Sequence, residues 1–377
     1  MRPDEILAEL VRFPSVVGQP NAAIAGWIAQ YLEDLGVEVQ VLSGPEGDRA
    51  NLFATIGPRD VPGLILSGHM DVVPAQEPQW SADPFQLRAE GDRLFGRGTS
   101  DMKGFLAAAL AVIPALVALK PARPIHLAFS YDEEAGCRGA PHLIAQLPSL
   151  CAPPAAAVIG EPSGLRPILA HKGKAAARVE IQGRSGHSSR PDLGLNAIHA
   201  MGRVIAAAEE AATRLRGGPL DPVFEPPYST IQIGMIRGGE ALNIIPDRCI
   251  IEIEARAIAG ASPAALLEPI REALERSRAH GFQTSWQPIA AYPALSLSTE
   301  APIAQLLSRI AGSPPLPAVS YGTEAGLYQA AGIDAIICGP GDIARAHKPD
   351  EYITRGELAD CVGLLRRLCT EFARQAP

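Results

Sequence analysis

The 377-residue chain has only six cysteines, and no two of them form a C-x-x-C pair. Thiols scattered in this way argue against a disulfide-stapled scaffold and fit reduced, buried side chains in a cytoplasmic protein. Basic charge is not in excess either. Lys and Arg number 33 against 41 Asp and Glu, a formal net charge of −8, which argues against a nucleic-acid-binding surface. No uncharged run reaches bilayer length. The longest, Gly104 to Leu119, is interrupted by Pro114 and falls short of the roughly 20 residues a span needs, so a buried helix is expected and no membrane partner. The opening residues MRPDEILAELVRF carry acids where a signal peptide would place its apolar core, and no export signal is expected. The Walker spacing is absent from GRGTSDMKG (96–104), which excludes a phosphate loop there.

What is present is ordinary globular material: 47% apolar and 20% charged residues, in a chain long enough for two or three domains at roughly 150 residues each. The first third alternates helical periodicity (20–35, 103–119, 138–147) with short apolar runs at Leu64–Leu66, Ile125–Tyr131 and Ala155–Ile159. Continuous apolar strands are those buried on both faces, so the pattern predicts an α/β fold: a mostly parallel sheet sandwiched by helices. From residue 175 the rhythm changes to strand 175–182, helix 194–216, strands 229–237 and 248–257, helix 262–280 and strand 282–290. That β-α-β-β-α-β order predicts an inserted ferredoxin-like α+β domain. The α/β rhythm then returns with helix 300–311, strand 316–319, helix 323–331, strand 334–338 and helix 355–374. The expected division is a discontinuous body, 1–174 with 291–377, interrupted by 175–290.

In that body a residue type that binds metals repeatedly follows an apolar strand. The run ending at Gly68 meets His69 and Asp71, the run to Tyr131 meets Asp132, Glu133 and Glu134, and the run to Gly160 meets Glu161. Ile336–Gly339 opens a loop that reaches His347, and Asp101 opens the apolar stretch 103–119. Sites in open parallel sheets form beyond the carboxyl ends of the strands, so these residues are expected to converge on one rim. Carboxylates crowded and desolvated there raise one another's pKa values unless a cation neutralises them. Two imidazoles with three carboxylates suit divalent zinc, cobalt or manganese, and they suit a metal pair about 3.5–4 Å apart better than one tetrahedral ion. Asp101 is then the natural bridge. Asp71, two residues from His69 on an extended segment, can accept the other ring N–H. Of the adjacent Glu133 and Glu134, one can ligate while the other stays free as a base.

Taken singly, each residue has a commoner use. His-x-Asp arises by chance, a Glu-Glu pair is usually a solvated loop, and His347 between Arg345 and Lys348 could be a surface residue. His126, His142, His199 and His280 lack the strand-end context and are assigned to packing or surface. The joint occurrence of the others is what points to a metal centre.

The segments SGHMDVVP (67–74), GRGTSDMKG (96–104), DEEAGCRGA (132–140), IGEPSG (159–164) and GRSGHSS (183–189) resemble the two-zinc aminoacylase and carboxypeptidase-G-like metallopeptidase family. The resemblance spans nearly the whole chain. It implies two zinc ions per subunit, with cobalt able to substitute. His69, Asp101 and Glu161 would hold one ion, and Asp101, Glu134 and His347 the other. Glu133 would be the general base and Asp71 the orienter of His69. It implies further a homodimer through 175–290, in which His187 reaches the partner's site and steadies the oxyanion, with Asn243, Arg256, Gly322 and Thr323 touching substrate. Within the family, HKGK (171–174), GHSSRPDLGLNAI (186–198), YGTEA (321–325) and GPGDIARAHKPDEY (339–352) look like members that hydrolyse N2-acetyl-L-ornithine to L-ornithine and acetate in arginine biosynthesis. A related N-acyl-amino-acid amidohydrolase or a succinyl-diaminopimelate desuccinylase is the alternative, and a non-catalytic binding protein a remoter one. Glu324 is a candidate for a cationic substrate group on charge complementarity.

Overall fold

The computed structural model describes residues 1–374. The chain forms two compact units. The larger holds Met1–Ala170, Ser296–Pro317 and the residues from Thr323 on; the smaller holds His171–Leu295 and Ala318–Gly322. The boundaries lie four or five residues from those expected, and 318–322 belongs to the smaller unit rather than the body. The cause is local: Val319 bridges His171 in parallel, and Gly322 lies against the Tyr292 ring.

The larger unit carries a six-stranded sheet in the order Val39–Ser43, Ala50–Ile56, Ile125–Ser130, Leu64–His69, Ala156–Pro162, Ala335–Gly339. The last four run parallel and are buried along their whole length, as their largely apolar sequences require. The first two are antiparallel additions at one edge. The expected strand 316–319 forms only isolated bridges, through Leu316 and Val319. Helices Pro3–Val11, Ala22–Glu33, Gly104–Leu119, Pro302–Ala311 and Arg355–Arg374 share one apolar core with the sheet. Gly139–Leu150 and Ala325–Ala330 lie outside that core, against the sheet strands.

Helix Gly104–Leu119 is the centre of this packing, with Phe105, Leu106, Leu110 and Ile113 wholly buried. Each such side chain stabilises the fold by about 1.5–3 kcal/mol relative to exposure. A wider turn over Thr99–Lys103 precedes it, so the apolar segment is longer than its uncharged part. Thr99–Leu119 is 21 residues, and its most apolar 18 have a mean hydropathy of 2.1, enough by length and composition to cross a membrane, but 67% of those 18 are buried inside the protein. It is a core helix.

The smaller unit is a four-stranded antiparallel sheet in the order Thr230–Gly238, Arg248–Ala257, Gly173–Gln182, Gln283–Tyr292. This is the ferredoxin-like arrangement. Along Gly173–Gln182 burial alternates residue by residue, because only one face is covered. That face packs Val179, Ile181, Ile251 and Ile253 against Met201 and Val204 of helix Ala197–Leu215 and Ile270 and Leu274 of helix Glu268–Arg278.

Candidate functional site

Three neighbouring parallel strands deliver side chains to one edge of the larger sheet. Leu64–His69 ends on His69, Ile125–Ser130 runs into Asp132–Glu134, and Ala156–Pro162 carries Glu161. The loop after Ala335–Gly339 brings His347. Asp101 sits in the turn before helix Gly104–Leu119, where its φ/ψ of −125° and 93° are not helical.

These residues meet around Asp101. His69 Nε2 is 3.1 Å from Asp101 Oδ1 and 3.7 Å from Glu161 Oε1. His347 Nε2 is 3.3 Å from Asp101 Oδ2 and 2.9 Å from Glu134 Oε1. The two oxygens of one carboxylate thus face two imidazoles. His69, Glu133 and Glu161 offer donor atoms within 4.8 Å of one another, as do His69, Asp101 and Glu134. His69, Asp101 and Glu161 are buried, Glu133 and Glu134 half-buried, and the His347 side chain is 49% exposed.

Asp71 departs from expectation in detail. Its carboxylate accepts the main-chain N–H groups of Glu133 and Glu134, each at 3.1 Å. His69 Nδ1 instead lies 2.9 Å from the Asp71 carbonyl, against 3.6 Å to the carboxylate. Asp71 therefore orients His69 through its backbone and sets the Glu133-Glu134 pair with its side chain. A carbonyl only accepts, so Nδ1 carries the proton and Nε2 is left facing Asp101 and Glu161.

A neutral Nε2 lone pair among carboxylates is unfavourable without a cation between them. Burial opposes protonation of His69, but the Asp101 hydrogen bond and the charges of Asp71 and Glu161 outweigh it and hold its pKa well above the ordinary value. Hydrogen bonds to Asp101 and Glu134 push His347 up to about 10. Burial, then the charges of Asp101 and Glu133, push Glu161 well up. Loss of hydration, with Glu134 and Asp71 nearby, pushes Glu133 up to about 8. Burial works against Asp101, yet the two histidines hold it below the usual carboxylate range. Oxygen and imidazole donors under this electrostatic pressure are the donor set a pair of divalent cations fits.

The residues expected to touch substrate fall into separate groups. Within the smaller unit, His187 is exposed, with Nδ1 2.7 Å from Ser189 Oγ, and it bridges Ile244 next to Asn243. Arg256 donates to Glu254 on its own strand (3.2 Å) and to the Tyr292 hydroxyl (3.4 Å), and Gly322 lies against the same tyrosine. In the larger unit Thr323 is buried, its hydroxyl accepting from Ala325 N–H at 3.0 Å. Glu324, also in the larger unit, is 1% exposed, and its two oxygens accept from the hydroxyls of Ser67 (2.5 Å) and Ser130 (2.7 Å), which ties two strand ends together.

Sequence reasoning missed two residues at the site. The Cys137 thiol donates to Glu133 Oε1 at 3.2 Å. Glu351, buried, receives the Asp101 N–H at 3.0 Å. An acid in a Lys-Pro-Asp-Glu loop carries no signal of this, because its partners are main-chain amides.

Residues 65–371 match the model of peptidase family M20/M25/M40. Acetylornithine deacetylase of Photorhabdus laumondii subsp. laumondii is 33% identical over 98% of this chain and 96% of its own. The enzyme of that name from Myxococcus xanthus is 33% identical over 97% and 96%. Among solved structures, an M20 family metallo-carboxypeptidase from Sulfolobus solfataricus superposes with a TM-score of 0.82 at 18% identity over all of both chains. A dinuclear metal-binding M20 peptidase from Bacillus subtilis gives 0.68 at 17% identity over 99% and 98%. With a family match over most of its length and relatives aligned nearly end to end, the chain belongs to peptidase family M20/M25/M40, a family of metal-dependent hydrolases.

Proposed function

We propose that the protein removes the acetyl group from N2-acetyl-L-ornithine, releasing L-ornithine and acetate, with two zinc ions per subunit that cobalt can replace. The observation that carries the metal reading is Asp101 standing between His69 and His347, with Glu161 and Glu134 beyond them. The substrate reading rests on the relatives' names and their nearly full-length match. His69, Asp101 and Glu161 would hold one ion and Asp101, Glu134 and His347 the other. Bound there, the ions would acidify a water molecule and polarise the amide carbonyl.

The chain's own residues account for the rest. Glu133 takes the proton of the attacking water and passes it to the departing amine nitrogen, so that the C–N bond breaks as a neutral amine leaves. Asp71 holds the Glu133 backbone and, through its carbonyl, the His69 ring. No side-chain nucleophile is needed, since water supplies the new C–O bond. His187 would donate to the oxyanion from a partner subunit, and Asn243, Arg256, Gly322 and Thr323 would frame the amino-acid part. Self-association is supported by the apolar surface of the smaller unit, where Leu242 is fully exposed and Leu193, Ile198, Ile236 and Ile244 are substantially so. Six free thiols suit a reducing, cytoplasmic setting.

The test is a substrate panel. Chelator-stripped protein, reloaded with zinc or cobalt, is assayed on N2-acetyl-L-ornithine, other N-acetyl amino acids and N-succinyl-diaminopimelate. Preference for N2-acetyl-L-ornithine supports the proposal; preference for the succinyl compound overturns it.

A further inference from the structure

The turn that carries Asp101 is built around another residue's carboxylate. Gly98, Ser100 and Asp101 stand at the start of this turn, where N–H groups have no preceding helical carbonyl to donate to. Glu351 supplies the acceptors. Its Oε1 receives the N–H groups of Ser100 (2.9 Å) and Asp101 (3.0 Å), and its Oε2 receives that of Gly98 (3.0 Å). Arg97 Nη1 closes on Oε2 at 2.9 Å, and both side chains are 1% exposed. The Glu351 carbonyl accepts Gly96 N–H at 2.9 Å. Glu351 also fixes a second segment. The same Arg97 Nη1 donates to the Lys348 carbonyl at 3.2 Å, one residue beyond His347.

We infer that Glu351 is a positioning residue for the metal pair: it locks the backbone of Asp101 and, through Arg97, the segment that delivers His347. This rests on the dimetal reading above. Glu351 touches neither imidazole nor any atom that would bind a metal, and its action is entirely on where Asp101 and His347 stand. Outer partners of this kind ordinarily change metal affinity about 10–100-fold. A glutamine cannot replace it, because its NH2 group would confront either two amide N–H groups or an amide N–H and a guanidinium. An aspartate keeps the charge opposite Arg97 but withdraws the carboxylate by about 1.5 Å, one C–C bond.

The experiment measures zinc dissociation constants of wild type, Glu351→Gln and Glu351→Asp by competition with a chromophoric chelator, alongside the thermal midpoint of each metal-free protein and kcat and KM after reloading. The expected result is zinc held 10–100-fold more weakly by Glu351→Gln, an intermediate loss in Glu351→Asp, and a fall in kcat with KM little changed. Wild-type zinc affinity in Glu351→Gln, or in Glu351→Asp where the glutamine variant does not fold, would overturn the inference even if the metal-free midpoints drop, since a merely structural role predicts that pattern. Failure of the wild type itself to take up two zinc ions would instead overturn the dimetal reading, and this inference with it.

Discussion

Asp101 presents Oδ2 to His347 Nε2 at 3.3 Å and Oδ1 to His69 Nε2 at 3.1 Å. One short carboxylate at the start of a buried helix thus joins a strand end to a distant loop. A metal pair would be held at that junction, and the consequences can be measured.

Glu133→Gln should keep both metals and lower the rate by roughly 10²–10⁴-fold, the range for loss of a general base. Single-turnover rates together with metal analysis check this. Near-normal turnover in that variant would remove Glu133 from proton transfer.

Metal-free protein should lose stability as pH rises. His347, raised to about 10 in the fold against about 6.5 unfolded, contributes stability that is complete below about 6.5 and gone above about 10. Glu133 acts in the same direction: raised to about 8 against about 4.3 unfolded, it costs nothing below the lower value and most above the upper. The thermal midpoint of chelated protein should therefore fall between about pH 6 and pH 9, and zinc should raise it more at the higher pH because protons no longer compete. A flat midpoint in the chelated protein would contradict this electrostatic picture.

Gly160 precedes Glu161 beneath the Phe105 ring, and an added Cβ would run into that ring. Gly160→Ala should destabilise by about 1–3 kcal/mol, as overpacking does, and weaken the metal held through Glu161. Chemical denaturation and zinc titration would show both effects, and a variant unchanged in both would mean the strand end adapts.

Mixing His187→Ala protomers with Asp101→Ala protomers tests the role of His187. If it acts across a dimer, hybrids regain activity that neither parent has. Hybrids that form yet stay inactive would confine His187 to another role.

Much of the fold and of the site is legible in the sequence, for physical reasons. Leu64–Leu66, Leu127–Phe129 and Ala156–Ile159 are apolar without interruption because they are buried on both faces, and His69, Glu133, Glu134 and Glu161 stand just beyond those runs. The edge strand Val39–Ser43 was not legible: it is half-exposed and its sequence shows neither clean alternation nor a continuous run. The serine partners of Glu324 are not legible either, because Ser67 and Ser130 lie far from it in the sequence. Glu351 and the carbonyl of Asp71 act through main-chain groups, which every residue has, so composition and spacing carry no trace of them.

If two metal ions share Asp101, anomalous scattering from crystals of the zinc-loaded protein shows it directly. Two peaks about 3.5–4 Å apart on either side of Asp101, one toward His69 and Glu161 and one toward His347 and Glu134, are predicted. A single peak, or none within reach of the Asp101 carboxylate, would contradict it.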